Sequence, residues 1–159
     1  MKGKAHQQTA GTAIEPGTYE ATLERITAWT SKKYQSEEYE PSLTFIWHLG
    51  EDDLGNPIRV YDAFVRIPLD RDGYPVLNED SKLYNRVSAL YGSRFDPKAP
   101  ALDWEIVLPS VYDNPEGLFS LPRFDERNEE GFRPIEVRSL RVSGRELLGA
   151  TCQVVVAEK

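Results

Sequence analysis

Eight residues of this chain have the types and spacing of a surface that follows a charged, stackable polymer. Trp29, Lys32, Lys33 and Tyr34 fall in or beside a polar stretch, residues 29–41 (WTSKKYQSEEYEP). Trp47, Arg59, Tyr61 and Arg66 fall on two strand-like segments further on. Basic side chains track phosphates, and exposed aromatic rings stack on bases for about 1–3 kcal/mol each. That pairing predicts contact with single-stranded nucleic acid. The competing reading is packing: Trp47 lies in the alternation Leu43, Phe45, Trp47 and suits a core, and Trp29 and Tyr34 could pack locally. The acidic runs Glu37-Glu38 and Glu51-Asp52-Asp53 must face away from any bound strand.

Other chemistries find little support. The two histidines, His6 and His48, sit in no recognisable serine or cysteine motif, and no phosphate loop or dinucleotide fingerprint occurs. Asp70-Arg71-Asp72-Gly73 with Glu79 overlays part of a calcium loop. Its first position would be Pro68, which has no side-chain oxygen to offer, so an ordinary Asp/Gly turn is the better reading. Zinc has no Cys/His cluster. The chain therefore reads as non-enzymatic, with no metal and no cofactor.

The elements that must position these residues follow from periodicity. Tyr19, Ala21 and Leu23 alternate with polar residues, and the apolar parity flips at Arg25-Ile26, as a β-bulge requires. Residues 17–29, 43–49 and 58–67 are predicted strands, the last two a hairpin around the turn residues 51–57. Residues 81–91 form an amphipathic helix with Asp80 or Ser81 as cap, apolar Leu83, Val87, Leu90 and Tyr91, and Gly92 at its end. Three turns are marginal alone, so the helix must dock. Residues 150–157 form a late strand, with weaker strand signals at 104–108 and 135–142. Residues 1–16 read as a flexible arm. Residues 96–136, rich in proline and acidic near 125–130, read as an extended insertion over the surface of a single domain spanning 17–159.

The bulk properties bound the answer. At 159 residues the chain suits one domain. A net charge of -7 argues against a broad basic surface for duplex DNA but leaves room for a local basic groove, because salt screens charges beyond about 8–10 Å. The single cysteine, Cys152, excludes an intrachain disulfide, and its apolar neighbours predict packing rather than reactivity. No stretch approaches the roughly 18–20 apolar residues of a membrane span, and no apolar leader follows the N-terminal lysines, so a cytoplasmic setting is expected.

Four segments resemble a known group when taken in order: residues 16–23 (PGTYEATL), 42–47 (SLTFIW), the helix from Ser81 to Gly92, and residues 147–154 (LLGATCQV). They are similar to small bacteriophage and prophage proteins with OB-like barrels, some regarded as single-stranded DNA-binding proteins of replication or recombination modules. The resemblance implies a mainly β, OB-like small barrel with one packed helix, acting in a bacterial or phage-infected cell. It implies that Trp47, Arg59, Tyr61 and Arg66 supply the binding face and Trp29, Lys32, Lys33 and Tyr34 the first loop. In that group a further strand follows the Leu-Leu-Gly segment; here residues 104–108, residues 135–142 or a second copy supplies it, or the barrel stays open. The alternative is a protein–protein module, accessory or virion-associated, acting through strand edges or an apolar patch at Leu118, Phe119 and Phe124.

Overall fold

The computed structural model describes residues 7–9 (backbone only), 14–93, 95–97 and 103–157. The molecule is mainly β and is built around one long strand. That strand, β2 (Gly17–Lys32), pairs antiparallel with β3 (Tyr39–Glu51), which returns as β4 (Pro57–Arg66). The expected parity flip is present: the β2–β3 register shifts between Leu23 and Arg25, leaving Glu24 as the extra residue. Both strands run further into the polar stretch than periodicity predicts, with Lys32 opposite Tyr39. Turn residues close the β3–β4 hairpin: the Asp52 carboxylate accepts from the Leu54 and Asn56 N–H groups, each at 2.9 Å.

The β-bulge keeps Leu23, Ile26 and Ala28 on one face although their numbering changes parity. They meet Trp47, Phe45 and Leu43 across the ladder. This inner face packs on α1 (Lys82–Tyr91), which buries Leu83, Tyr84, Val87 and Leu90. Each large apolar side chain so buried contributes about 1.5–3 kcal/mol, which is what holds a ten-residue helix in place. Ser81 caps the helix, accepting from the Tyr84 N–H at 3.1 Å, and Gly92 ends it at φ 95°, a left-handed conformation that glycine adopts without a Cβ clash.

Three separate segments cover the outer edge of β2. Its first part carries β9 (Thr151–Val156), in register from Gly17↔Val156 to Thr22↔Thr151. Next come the Gly149 N–H on the Leu23 carbonyl (2.8 Å) and β6 (Ile135–Glu136) opposite Thr27 and Ala28. Last, the Thr30 N–H donates to the Pro122 carbonyl at 2.8 Å. The outer edge of β4 carries β1 (Gln7–Thr9), so three residues of the expected arm are strand, while residues 1–6 and 10–13 lie outside the described set. The main sheet thus runs β1-β4-β3-β2-β6, with β9 beside β2, and curls around α1.

The predicted strand over 135–142 is two strands in two sheets. β6 serves the main sheet, while β7 (Ser139–Val142) joins β5 (Trp104–Val107) and β8 (Arg145–Glu146) in a second one. The proline-rich stretch does not merely drape the surface. Ile106, Leu108, Leu118 and Leu121 are buried in the common core, and the short helix α2 (Pro115–Leu118) packs so closely that a Cβ on Gly117 would lie 2.5 Å from the Val111 carbonyl oxygen. The acidic residues Asp125 and Glu126 belong to a single 3-10 turn, Phe124–Glu126, lying against β2.

Candidate nucleic-acid interface

Register decides which candidates share a surface. His48 is opposite Arg59, Ile46 opposite Tyr61 and Ser42 opposite Arg66, placing Arg59, Tyr61 and Arg66 on the outer face of the sheet. Trp47 is on the other face. It is buried in the core, and its indole N–H points at Asp62, 3.4 Å away, beside the Arg86–Asp62 ion pair. It presents no stacking surface in this arrangement. Trp29 shares the outer face but is only 8% exposed, packed on Phe124 at 4.4 Å between ring centroids and near Phe64 at 6.5 Å. Tyr61 is half-buried, and Tyr34, at the tip of the β2–β3 loop, is 89% exposed.

Each cation of the predicted set stands next to a carboxylate. Lys32 meets Glu37 at 3.2 Å, Lys33 meets Glu38 at 3.0 Å, Arg59 meets Glu24 at 2.9 Å and Arg66 meets Glu40 at 3.4 Å. Hydrogen bonding to Glu37 raises the Lys32 pKa, so this amine stays charged at neutral pH. Glu37 and Glu38 are themselves largely exposed, and solvent screening leaves pairs of that kind weak. A phosphate can therefore take over either lysine at little cost. Arg59 is tied more firmly, because both Glu24 oxygens accept from its Nε.

Two members of the set, Lys32 and Arg66, meet at a surface depression of about 450 Å³ at the end of the hairpin. Three neighbours there were not singled out from the sequence: Lys82, Phe64 and the Ser31–Ser42 hydroxyl pair, whose oxygens lie 3.1 Å apart. With Glu40 and Asp80 also in the wall and Glu37 on Lys32, three cations meet three carboxylates, a local charge balance on an acidic chain.

Phe64 reaches this surface because β4 carries its own bulge. Leu43 pairs with Val65 and Phe45 with Asp62, so two β4 residues oppose Thr44. Phe64 takes up the slip at φ 62°, a left-handed conformation that is costly for a bulky side chain. Its ring stands half exposed, edge-on to Phe124 at 4.9 Å. The signal was legible: Val60 and Val65 both suit the inner face, and a separation of five residues places them on opposite faces of a regular strand. The outer face also holds two buried polar atoms with no hydrogen-bond partner, Trp29 Nε1 and Thr44 Oγ1, beside and two residues from Ser42 respectively. Such groups are uncommon in folded proteins.

Burial pushes the Cys152 thiol up, only partly offset by Arg86, so the unreactive protonated form prevails at neutral pH. The Asp70 carboxylate accepts from the Asp72 and Tyr74 N–H groups at 2.8 and 3.0 Å, as a turn residue does. Among the described residues, no helix is long and apolar enough to cross a membrane. Comparison with known proteins gives no family model, curated protein or solved structure that matches this chain.

Proposed function

We propose that this chain binds single-stranded nucleic acid without transforming it, as an OB-like barrel of the bacteriophage and prophage type that its sequence resembles, working in the cytoplasm of a bacterial or infected cell. One observation carries the reading: Lys32, Arg66 and Lys82 converge with the half-exposed Phe64 ring on a single depression of an otherwise acidic molecule. The cations hold consecutive phosphates, Phe64 accepts one base, and Tyr34 at the loop tip accepts another. The Ser31–Ser42 hydroxyl pair, with one proton held in its mutual bond, has one left to donate to a phosphate or sugar oxygen. Arg59 and Tyr61 continue the path along the hairpin. Trp29 lies under this surface and supports Phe64 from below, and Lys33 adds charge at the rim.

The test is fluorescence anisotropy with a labelled oligo-dT of about 16 nucleotides, the upper end of what one such domain covers. Three phosphate contacts predict a slope of log affinity against log salt near about -2. The Lys32→Ala/Arg66→Ala double variant should lower affinity at every salt concentration and flatten that slope. Absence of saturable binding at low salt, or binding indifferent to the double variant, overturns the proposal.

A further inference from the structure

We infer that two copies of this chain associate by pairing β9 with β9′ across a two-fold axis, extending the main sheet from one molecule into the next. The outer edge of β4 is bonded by β1, and the outer edge of β2 is occupied along its length by β9, β6 and the Pro122 carbonyl. β9 pairs only with β2, and among the described residues its other edge carries no strand. Exposed edges are ordinarily blunted by a lysine, a proline or a bulge. Residues 151–156 (TCQVVV) contain no charge and no proline, and their register against β2 is unbroken.

Charge and side-chain pattern select the occupant. Two copies, each with net charge -7, repel wherever acidic surfaces meet, and β9 is an uncharged strand that avoids this. The adjoining hollow of about 420 Å³ between β9, β4 and α1 is also neutral, because its Asp62 and Arg86 are paired with each other. Along β9, Thr151, Gln153 and Val155 point outward while Cys152 and Val154 are half-buried on the inner side, and Val155 is 76% exposed. An antiparallel pair centred on Gln153 is self-complementary. It sets Thr151 opposite Val155′, Gln153 opposite Gln153′ and Cys152 opposite Val154′, with opposed Cβ atoms about 4.5–5.5 Å apart. The exposed valine is then covered by a β-branched neighbour, and the inner pair extends the apolar wall toward the hollow. A two-fold isologous contact of this kind closes on itself and stops at the dimer.

Sedimentation velocity of the full chain between about 1 and 200 μM, a range that resolves weak association, tests this. The expected result is a monomer–dimer equilibrium with twice the monomer mass at the upper end. Gln153 is exposed and faces Glu20 across the ladder. Gln153→Glu therefore places four carboxylates in one cross-strand row of the dimer and should leave only monomer, with an unchanged circular dichroism spectrum. Mixing Gln153→Glu with Gln153→Lys should restore a heterodimer. A wild-type chain that stays monomeric throughout, a dimer indifferent to Gln153→Glu, or a mixture that fails to associate overturns the inference.

Discussion

At Phe64, backbone cost and surface chemistry meet. A left-handed conformation costs an L residue roughly 1–2 kcal/mol, and each aromatic pair returns about 0.5–1.5 kcal/mol. Phe64→Gly removes both the strain and the ring contacts with Phe124 and Trp29. The two effects oppose each other, so urea denaturation should show a stability change of about 1 kcal/mol or less. If the ring stacks on a base, oligonucleotide affinity should fall about tenfold or more, the equivalent of one lost stack. A variant that binds as well as the parent removes Phe64 from the site. Glu146 makes a different single-residue case. Burial works to raise its pKa, but the Ser139 hydroxyl, the Leu140 and Leu148 N–H groups and Arg141 together hold it below the ordinary value. A lowered folded-state pKa means stability present above the usual carboxylate range and lost as pH falls through the folded value. Glu146→Gln should therefore cost stability at pH 7 and progressively less in acid, read from urea midpoints at both ends. An equal cost at both pH values would show that the ionised form contributes nothing.

Helix α1 tests how far local sequence signals act independently of packing. Ser81→Ala removes the hydroxyl that caps Tyr84 and should cost about 1 kcal/mol, measured by thermal unfolding. The cost should not reach that of a core truncation such as Leu83→Ala, at about 2–5 kcal/mol, because α1 is held mainly by its buried face. Cap, stop and apolar spacing were all legible in residues 81–92, since each is a short-range property. The hairpin was legible for the same reason: alternation marks its strands, and Asp52 with Gly55 marks its turn. Strand pairing at β2 was not. Residues 135–142 carry one apolar pattern, but the Val137 N–H bonds to Ile26 and the Arg138 N–H to Val107, sending successive residues to different sheets. Nothing local in that pattern specifies a partner more than a hundred residues away. The site was legible only in part for the same reason. Lys32 and Arg66 have the right chemistry by type, and the alternation of Leu43, Phe45 and Trp47 already suited Trp47 to the core, whereas Lys82 joins the site only because α1 docks at that end of the hairpin.

Across the whole molecule, the first third of the chain forms a sheet whose open edge only the last third covers. β2 and β3 alone leave Ala21 and Leu23 beside an unpaired edge, and β9 closes it with six residues of ladder and the inward side chains of Val154 and Val156. Losing an antiparallel partner of that length removes several backbone hydrogen bonds at about 0.5–1.5 kcal/mol each, together with the apolar cover. Domains of this size are stable by only about 5–15 kcal/mol in total. A chain ending at Gly149 should therefore fail to fold cooperatively, whereas one ending at Ala157 should unfold in a single transition like the parent. Circular dichroism during urea denaturation distinguishes them. A sharp transition in the shorter chain would show that the hairpin, α1 and the second sheet form a core sufficient without β9. A broad or absent transition would mean that β9 must be in place before the surface bearing Lys32, Phe64 and Arg66 exists. Any oligonucleotide binding should then disappear with the fold rather than decline in proportion to the residues removed.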